Sequence, residues 1–269
     1  MTRFLFILCY LNAINSWGQT PMIRNAQNVT YDFSCMEDDN LGFFINLGSD
    51  FEKVVLGTLA DSVSLDEEIT YGEDALAEIE LEYDIFDSGK EVTRLNNILQ
   101  ALENVLSNPV GYNYEIYLLD SPELNAFTIG GKIFVTNAIY DFCENDDELA
   151  CIIGHEIAHN ELGHINENLQ KVKTAQNFGD VGLLASDVMS AVTSSFNQKN
   201  ECFADFIGID MAKAANYRSC ASVDLWERMS LNNSGDTEVY KIFSTHPYSN
   251  TRANCSMNHI QSNYSIDCE

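Results

Sequence analysis

Basic residues are scarce in this chain. Only 14 Lys and Arg stand against 41 Asp and Glu, a formal charge of −27 over 269 residues. Nucleic acid and anionic lipid surfaces repel such a protein, so neither is expected as a partner. The acidity itself reads as solubility or adaptation to a salty habitat. No C-x-x-C pair occurs among the eight cysteines, which argues against a zinc knuckle or a thioredoxin-type site. No internal repeat is visible at a period of roughly 20 to 50 residues. Beyond the N-terminus no apolar run is long enough to span a bilayer; the best, at 181–196, carries Asp187 and several Ser and Thr residues. Histidines number only five.

What is present is apolar enough to fold. A hydrophobic content of 45% supports one large domain, or one domain with a short extension. The chain starts with Arg3, an apolar run at 4–11 and a polar stretch ending Gly18-Gln19, the layout of a signal peptide over 1–19, with an uncleaved anchor as the alternative. Its removal takes Cys9 away and leaves seven of the eight cysteines. An odd number obliges at least one to stay free or to pair between chains. Cys220, Cys255 and Cys268 are the best source of a disulfide, although spacing does not choose the pair.

Residues 20–65 are rich in Asp and Asn, lack strong periodicity and read as an N-terminal extension. Helical spacing of apolar residues follows at 66–81 and 92–106, the second ending at a breaker, Asn108-Pro109. Alternation at 112–119 predicts a strand, and two β-rich runs around Gly130-Gly131 predict a hairpin over 125–136. Asn145, with Glu148 three residues later, is a helix start, and that helix is expected to run to about Leu169. Further helices are expected at 180–196, 200–215 and 221–231. The chain reads as α+β, mainly helical with a small sheet.

Inside the helix that opens at 146 stands His155-Glu156-Ile157-Ala158-His159, an H-E-x-x-H motif. Four helical residues advance only about 40° around the axis, so the two histidines share a face and can reach one Zn²⁺. Glu156 lies about 100° away, beside the cation and not on it, which suits a base acting on water there. A third ligand sorts the subclass. Metzincins place a histidine six residues after the second one and a glycine three after; Ile165 and Leu162 occupy those positions here. His164 falls about 140° round the helix from His159 and reads as a structural or surface histidine. The other route is a glutamate on a later helix. Glu201 and Asp205, at i and i+4, offer one carboxylate for metal and one for the free N–H of a zinc histidine.

These residues resemble the HtpX-like gluzincin metallopeptidases, relatives of the prenyl-protein endoprotease and of bacterial periplasmic quality-control proteases. The resemblance covers about 66–252. It rests on Asn125-Ala126-Phe127 with Gly130-Gly131, on HEIAH with Gly163-His164, on Glu201 with Ala204-Asp205 and Gly208, and on Ser244-Thr245-His246-Pro247 with Arg252. It implies a gluzincin catalytic domain over 66–269 with a central zinc-binding helix and one Zn²⁺ per chain, held by His155, His159 and Glu201. Glu156 is then the general base, and His246 sits at the fourth zinc position or stabilises the oxyanion. Asp205 and Arg252 support the ligands, while Asn125, Ala126 and Phe127 line a strand along which an extended polypeptide substrate lies. The expected activity is hydrolysis of peptide bonds in extended or unfolded polypeptides. An alternative is a latent protease acting mainly as a chaperone or assembly factor for exported proteins. The mature chain is expected to be soluble, without a membrane span, and secreted or periplasmic; oligomeric state is not legible. Departures from the resemblance are the extension at 20–65 and the lack of membrane helices that several relatives carry.

Overall fold

Ser64 opens the first long helix, α1 (Leu65–Glu82), with a reciprocal cap: its side chain accepts from the Glu67 amide, and the Glu67 carboxylate accepts from the Ser64 amide. Tyr71, Ala75 and Ile79, each four residues apart, make its buried stripe. The computed structural model describes residues 23–24, 29–36, 63–175, 183–192, 194, 196–231, 246 and 250–268. The expected signal peptide and most of the expected extension lie outside them.

After α1 come β1 (Ile85–Phe86), α2 (Lys90–Glu103), β2 (Glu115–Leu119), β3 (Ala126–Ile129), β4 (Lys132–Thr136) and α3 (Asn137–Phe142). The helices α4 (Asp146–Glu161), α5 (His164–Ala175), α6 (Ala185–Val192), α7 (Gln198–Ala214), α8 (Ala221–Leu231) and α9 (Asn250–Tyr264) follow. Among the described residues the architecture is mainly helical with one four-stranded sheet, in the order β1-β2-β4-β3. The β3–β4 pair is the predicted hairpin, antiparallel with Phe127 opposite Phe134, and β2 runs parallel to β4.

Central β4 is buried at all five positions, as a strand covered on both faces must be. Ile133 and Val135 face a core shared with α2, α4, α7 and α8. Phe134 faces the opposite way, into a core with α1, α5 and α6. Asn160 of α4 fastens helix to hairpin, its amide nitrogen donating to Thr128 Oγ1 (2.7 Å) and its oxygen accepting from the Gly131 amide (3.3 Å).

Three expectations need correction. The zinc helix does not continue to residue 169: Gly163, at φ +72°, takes a left-handed conformation that ends α4, and α5 starts afresh at His164. The strand expected at 112–119 forms only from Glu115, and α2 ends at Glu103, short of 106. The late group supplies a disulfide as expected, Cys220–Cys268, and Cys255 pairs with Cys35, 220 residues earlier. Cys143, Cys151 and Cys202 are free and buried.

Helices α4 and α7 meet backbone to backbone at two glycines. A Cβ on Gly208 would lie 2.8 Å from the His155 amide nitrogen, and one on Gly154 would lie 3.0 Å from the Gly208 carbonyl oxygen. Alanine ordinarily stabilises a helix interior by about 1 kcal/mol over glycine; here the overlap outweighs that gain. Gly208→Ala is expected to lower the unfolding free energy by about 1–3 kcal/mol in urea titrations. A more stable variant would show that the two helices have room to part.

Candidate metal centre

Each element delivers its side chain for a local reason. Asn145 caps α4, its side chain accepting from the Glu148 amide at 3.0 Å, and Glu148 is itself paired with Arg228 at 2.6 Å. Two turns further on, His155 and His159 stand one above the other. Asn197 caps α7 through the Asn200 amide (2.9 Å), leaving Glu201 in the first turn, where the helix dipole favours a carboxylate. Because α4 and α7 touch at Gly154 and Gly208, Glu201 arrives opposite the two rings.

His155, His159, Glu201 and His246 each offer one donor atom, and all four atoms lie within 4.8 Å of one another. His155 Nε2 is 3.0 Å from His159 Nε2, 3.3 Å from His246 Nδ1 and 3.5 Å from Glu201 Oε2. Glu201 Oε1 is 3.6 Å from His159 Nε2 and 3.2 Å from His246 Nδ1. Ligands about 2.0–2.1 Å from a tetrahedral zinc stand about 3.3 Å apart. The five separations, 3.0 to 3.6 Å with both Glu201 oxygens taking part, lie near that edge length.

Around these donors the charge does not balance. Glu156, Glu201 and Asp205 are three buried carboxylates, and Arg252 is the guanidinium among them. Its Nε and Nη2 grip both Asp205 oxygens at 2.8 and 2.7 Å, and its Nη1 lies 2.7 Å from Glu201 Oε2. With all three ionised, Arg252 offsets one of them among the described residues and two negative charges remain, the charge of one divalent cation. Protons answer the same deficit: burial pulls the His155 imidazole down, but Asp205 and Glu201 outweigh it and push it up to about 9. Burial and the neighbouring His155 hold His159 well below its ordinary range. Burial raises Glu201, yet Arg252 and His246 bring it well below the usual carboxylate range. Glu156 is pushed up, chiefly by burial, with His246 and His155 opposing, and its Oε2 is buried without a hydrogen bond. The residues fit a zinc ion in number, chemistry and charge.

Asp205 Oδ1 stands 3.0 Å from His155 Nδ1, the nitrogen turned away from the cluster. His246 Nε2 lies 3.6 Å from Glu156 Oε1. Asn125 and Ala126 border a cavity that opens beside His155 and Glu156 and is walled by Ile139, Ile152, Trp226 and Met229. Phe127 points elsewhere: its ring stacks on Phe134 with centroids 5.0 Å apart, so only its backbone belongs to the strand beside the cavity. Sequence reasoning missed Phe196, packed 4.2 Å from the His159 ring and 5.8 Å from that of His246, and Trp226, which lies 5.0 Å under the Arg252 guanidinium. Nothing in their spacing marks either, although Trp226 is one of just two tryptophans.

Comparison with known proteins bears on this geometry. The profile described as Peptidase family M48 matches residues 90–256. Mitochondrial metalloendopeptidase OMA1 of Saccharomyces cerevisiae is 31% identical over 160 residues, covering 53% of this chain and 46% of that protein. The protein of the same name in Schizosaccharomyces pombe is 28% identical over 205 residues, 71% of this chain and 60% of its own length. Metalloprotease LoiP of Escherichia coli is 29% identical over 189 residues, 65% of this chain and 71% of that protein. The chain thus spans about half of the OMA1 proteins it matches.

Two substitutions probe the centre. Purified protein is expected to carry one zinc per chain by native mass spectrometry, and Glu201→Gln to carry substantially less; full occupancy in that variant would contradict a ligand role. Arg252→Met strands buried carboxylates without their partner and is expected to cost about 3–5 kcal/mol of stability in urea.

Proposed function

The chain belongs to peptidase family M48, and from that premise we propose that it is a zinc-dependent metalloendopeptidase cutting extended or unfolded polypeptides. The observation that carries the reading is the cluster of His155, His159 and Glu201 donor atoms with the Glu156 carboxylate beside it. Zinc held by these three residues would supply a Lewis acid that polarises the peptide carbonyl and lowers the pKa of water toward about 7.

The side chains do the rest. Glu156 takes the proton of the attacking water and later hands it to the leaving amine. A carboxyl pushed up by burial is suited to holding a proton between those two events. His246 stabilises the oxyanion as it forms, a contribution of about 3 kcal/mol for donors of this kind. Asp205 and Arg252 hold His155 and Glu201 in place. Strand β3 is the last strand of the sheet, so an extended substrate can add to it through main-chain hydrogen bonds from Asn125 onward. Such binding reads backbone more than side chains. Two disulfides among the described residues support export to an oxidising compartment, secreted or periplasmic.

A second reading is favoured by the position of His246. Its Nδ1 is as close to His155 and Glu201 as those donors are to each other, so it would close the site and leave a latent protease that mainly holds exported chains. Glu156→Gln separates the two. In the first reading the variant keeps its zinc and loses casein cleavage by about 10²- to 10⁴-fold. Holding activity that survives in the variant, with no cleavage by the parent protein, supports the second. Undiminished cleavage by the variant removes Glu156 as the base in both.

A further inference from the structure

His164 lies outside the ligand set, yet it touches a ligand. His159 presents Nε2 to the donor cluster, and its opposite nitrogen, Nδ1, lies 3.1 Å from His164 Nδ1. Both residues are buried, His159 at 0% exposure and His164 at 4%. The helix break is what permits the contact. On an unbroken helix His164 would stand about 140° round from His159; the left-handed turn at Gly163 restarts the chain so that the two rings meet, with centroids 5.0 Å apart and planes at 70°. Phe196 packs against His159 at 4.2 Å, so the ring is enclosed on that side too.

An imidazole that gives Nε2 to a cation while staying neutral must carry its hydrogen on Nδ1. That N–H is a donor, and burial obliges it to find an acceptor. Resting on the zinc reading above, we infer that His164 is a positioning residue: its Nδ1 lone pair accepts the Nδ1–H of His159 and so fixes the tautomer and ring plane of the second histidine ligand. Asp205 stands in the corresponding place behind His155, at 3.0 Å. The two zinc histidines are therefore backed unequally, one by a carboxylate and one by a neutral imidazole. With Nδ1 as acceptor, His164 carries its own hydrogen on Nε2.

Zinc affinity, measured by competition with a chromophoric chelator, tests this without using activity. His164→Asn places an amide oxygen where Nδ1 stands and is expected to bind zinc within a few-fold of the parent. His164→Leu fills the space without an acceptor and is expected to bind about 10- to 100-fold more weakly, the usual loss for such a partner. Thermal unfolding of the zinc-free proteins separates a packing effect, which lowers both variants alike, from the metal effect, which falls on leucine alone. Should the leucine variant not fold, His164→Gln replaces it: its amide reaches the Nε2 position, and weaker zinc binding than the asparagine variant is expected. Equal affinities for parent and leucine variant, or an equal loss in asparagine and in leucine or glutamine, would overturn the inference. A parent protein that binds no zinc would instead overturn the reading of the centre itself.

Discussion

Two helices touching through glycine hold together everything else in this structure. The contact of Gly154 with Gly208 brings the histidine face of α4 against the first turn of α7, so that a pair of imidazoles and a carboxylate 42 to 46 residues away converge. Convergence then creates a problem that the protein alone does not solve. Among the described residues three carboxylates are buried around the Arg252 guanidinium, and uncompensated charge of that kind is too costly to persist in a folded interior. A dication resolves it; Asp205 and Glu201, the same carboxylates, push the His155 imidazole up against burial.

The arginine in that balance is carried by α9, and α9 is anchored well. Cys255, one turn beyond Arg252, is bonded to Cys35, while Cys268 beyond its end is bonded to Cys220 ahead of α8. A second buried network adds to this. Asp210 of α7 accepts from Tyr31 and Tyr264 at 3.1 and 2.6 Å and lies 2.7 Å from His259 Nε2. Residues 29–36 therefore join α7 and α9 by covalent and polar links. The guanidinium that holds Glu201 and Asp205 inherits its position from those ties, which places the described part of the N-terminal segment in the support of the metal centre.

Elements with one apolar face were legible in the sequence: α1, α2, the Gly130-Gly131 hairpin and α8 fall close to their expected bounds. The H-E-x-x-H spacing was legible because helical geometry alone puts both histidines on one side. Helix α9 was not, since several of the residues it buries are polar, among them Arg252, Ser256 and His259, and no amphipathic stripe announces it. The same blindness hid the role of His164. On a continuous helix its angular offset from His159 is about 140°, and one glycine in a left-handed conformation redirects it. The partner of Cys255 lay 220 residues away, beyond what spacing within a late cluster can suggest. Phe127 stood in a stretch correctly expected as a strand, but alternation within β3 sends its ring to the far face.

X-ray absorption at the zinc edge tests the central claim most directly, because it counts and identifies the atoms around the metal in solution. The account predicts a shell of nitrogen and oxygen at about 2.0–2.1 Å, with the multiple scattering of two or three imidazoles and no sulfur. Zinc bound with a sulfur neighbour at about 2.3 Å, or with no imidazole signature, would contradict it.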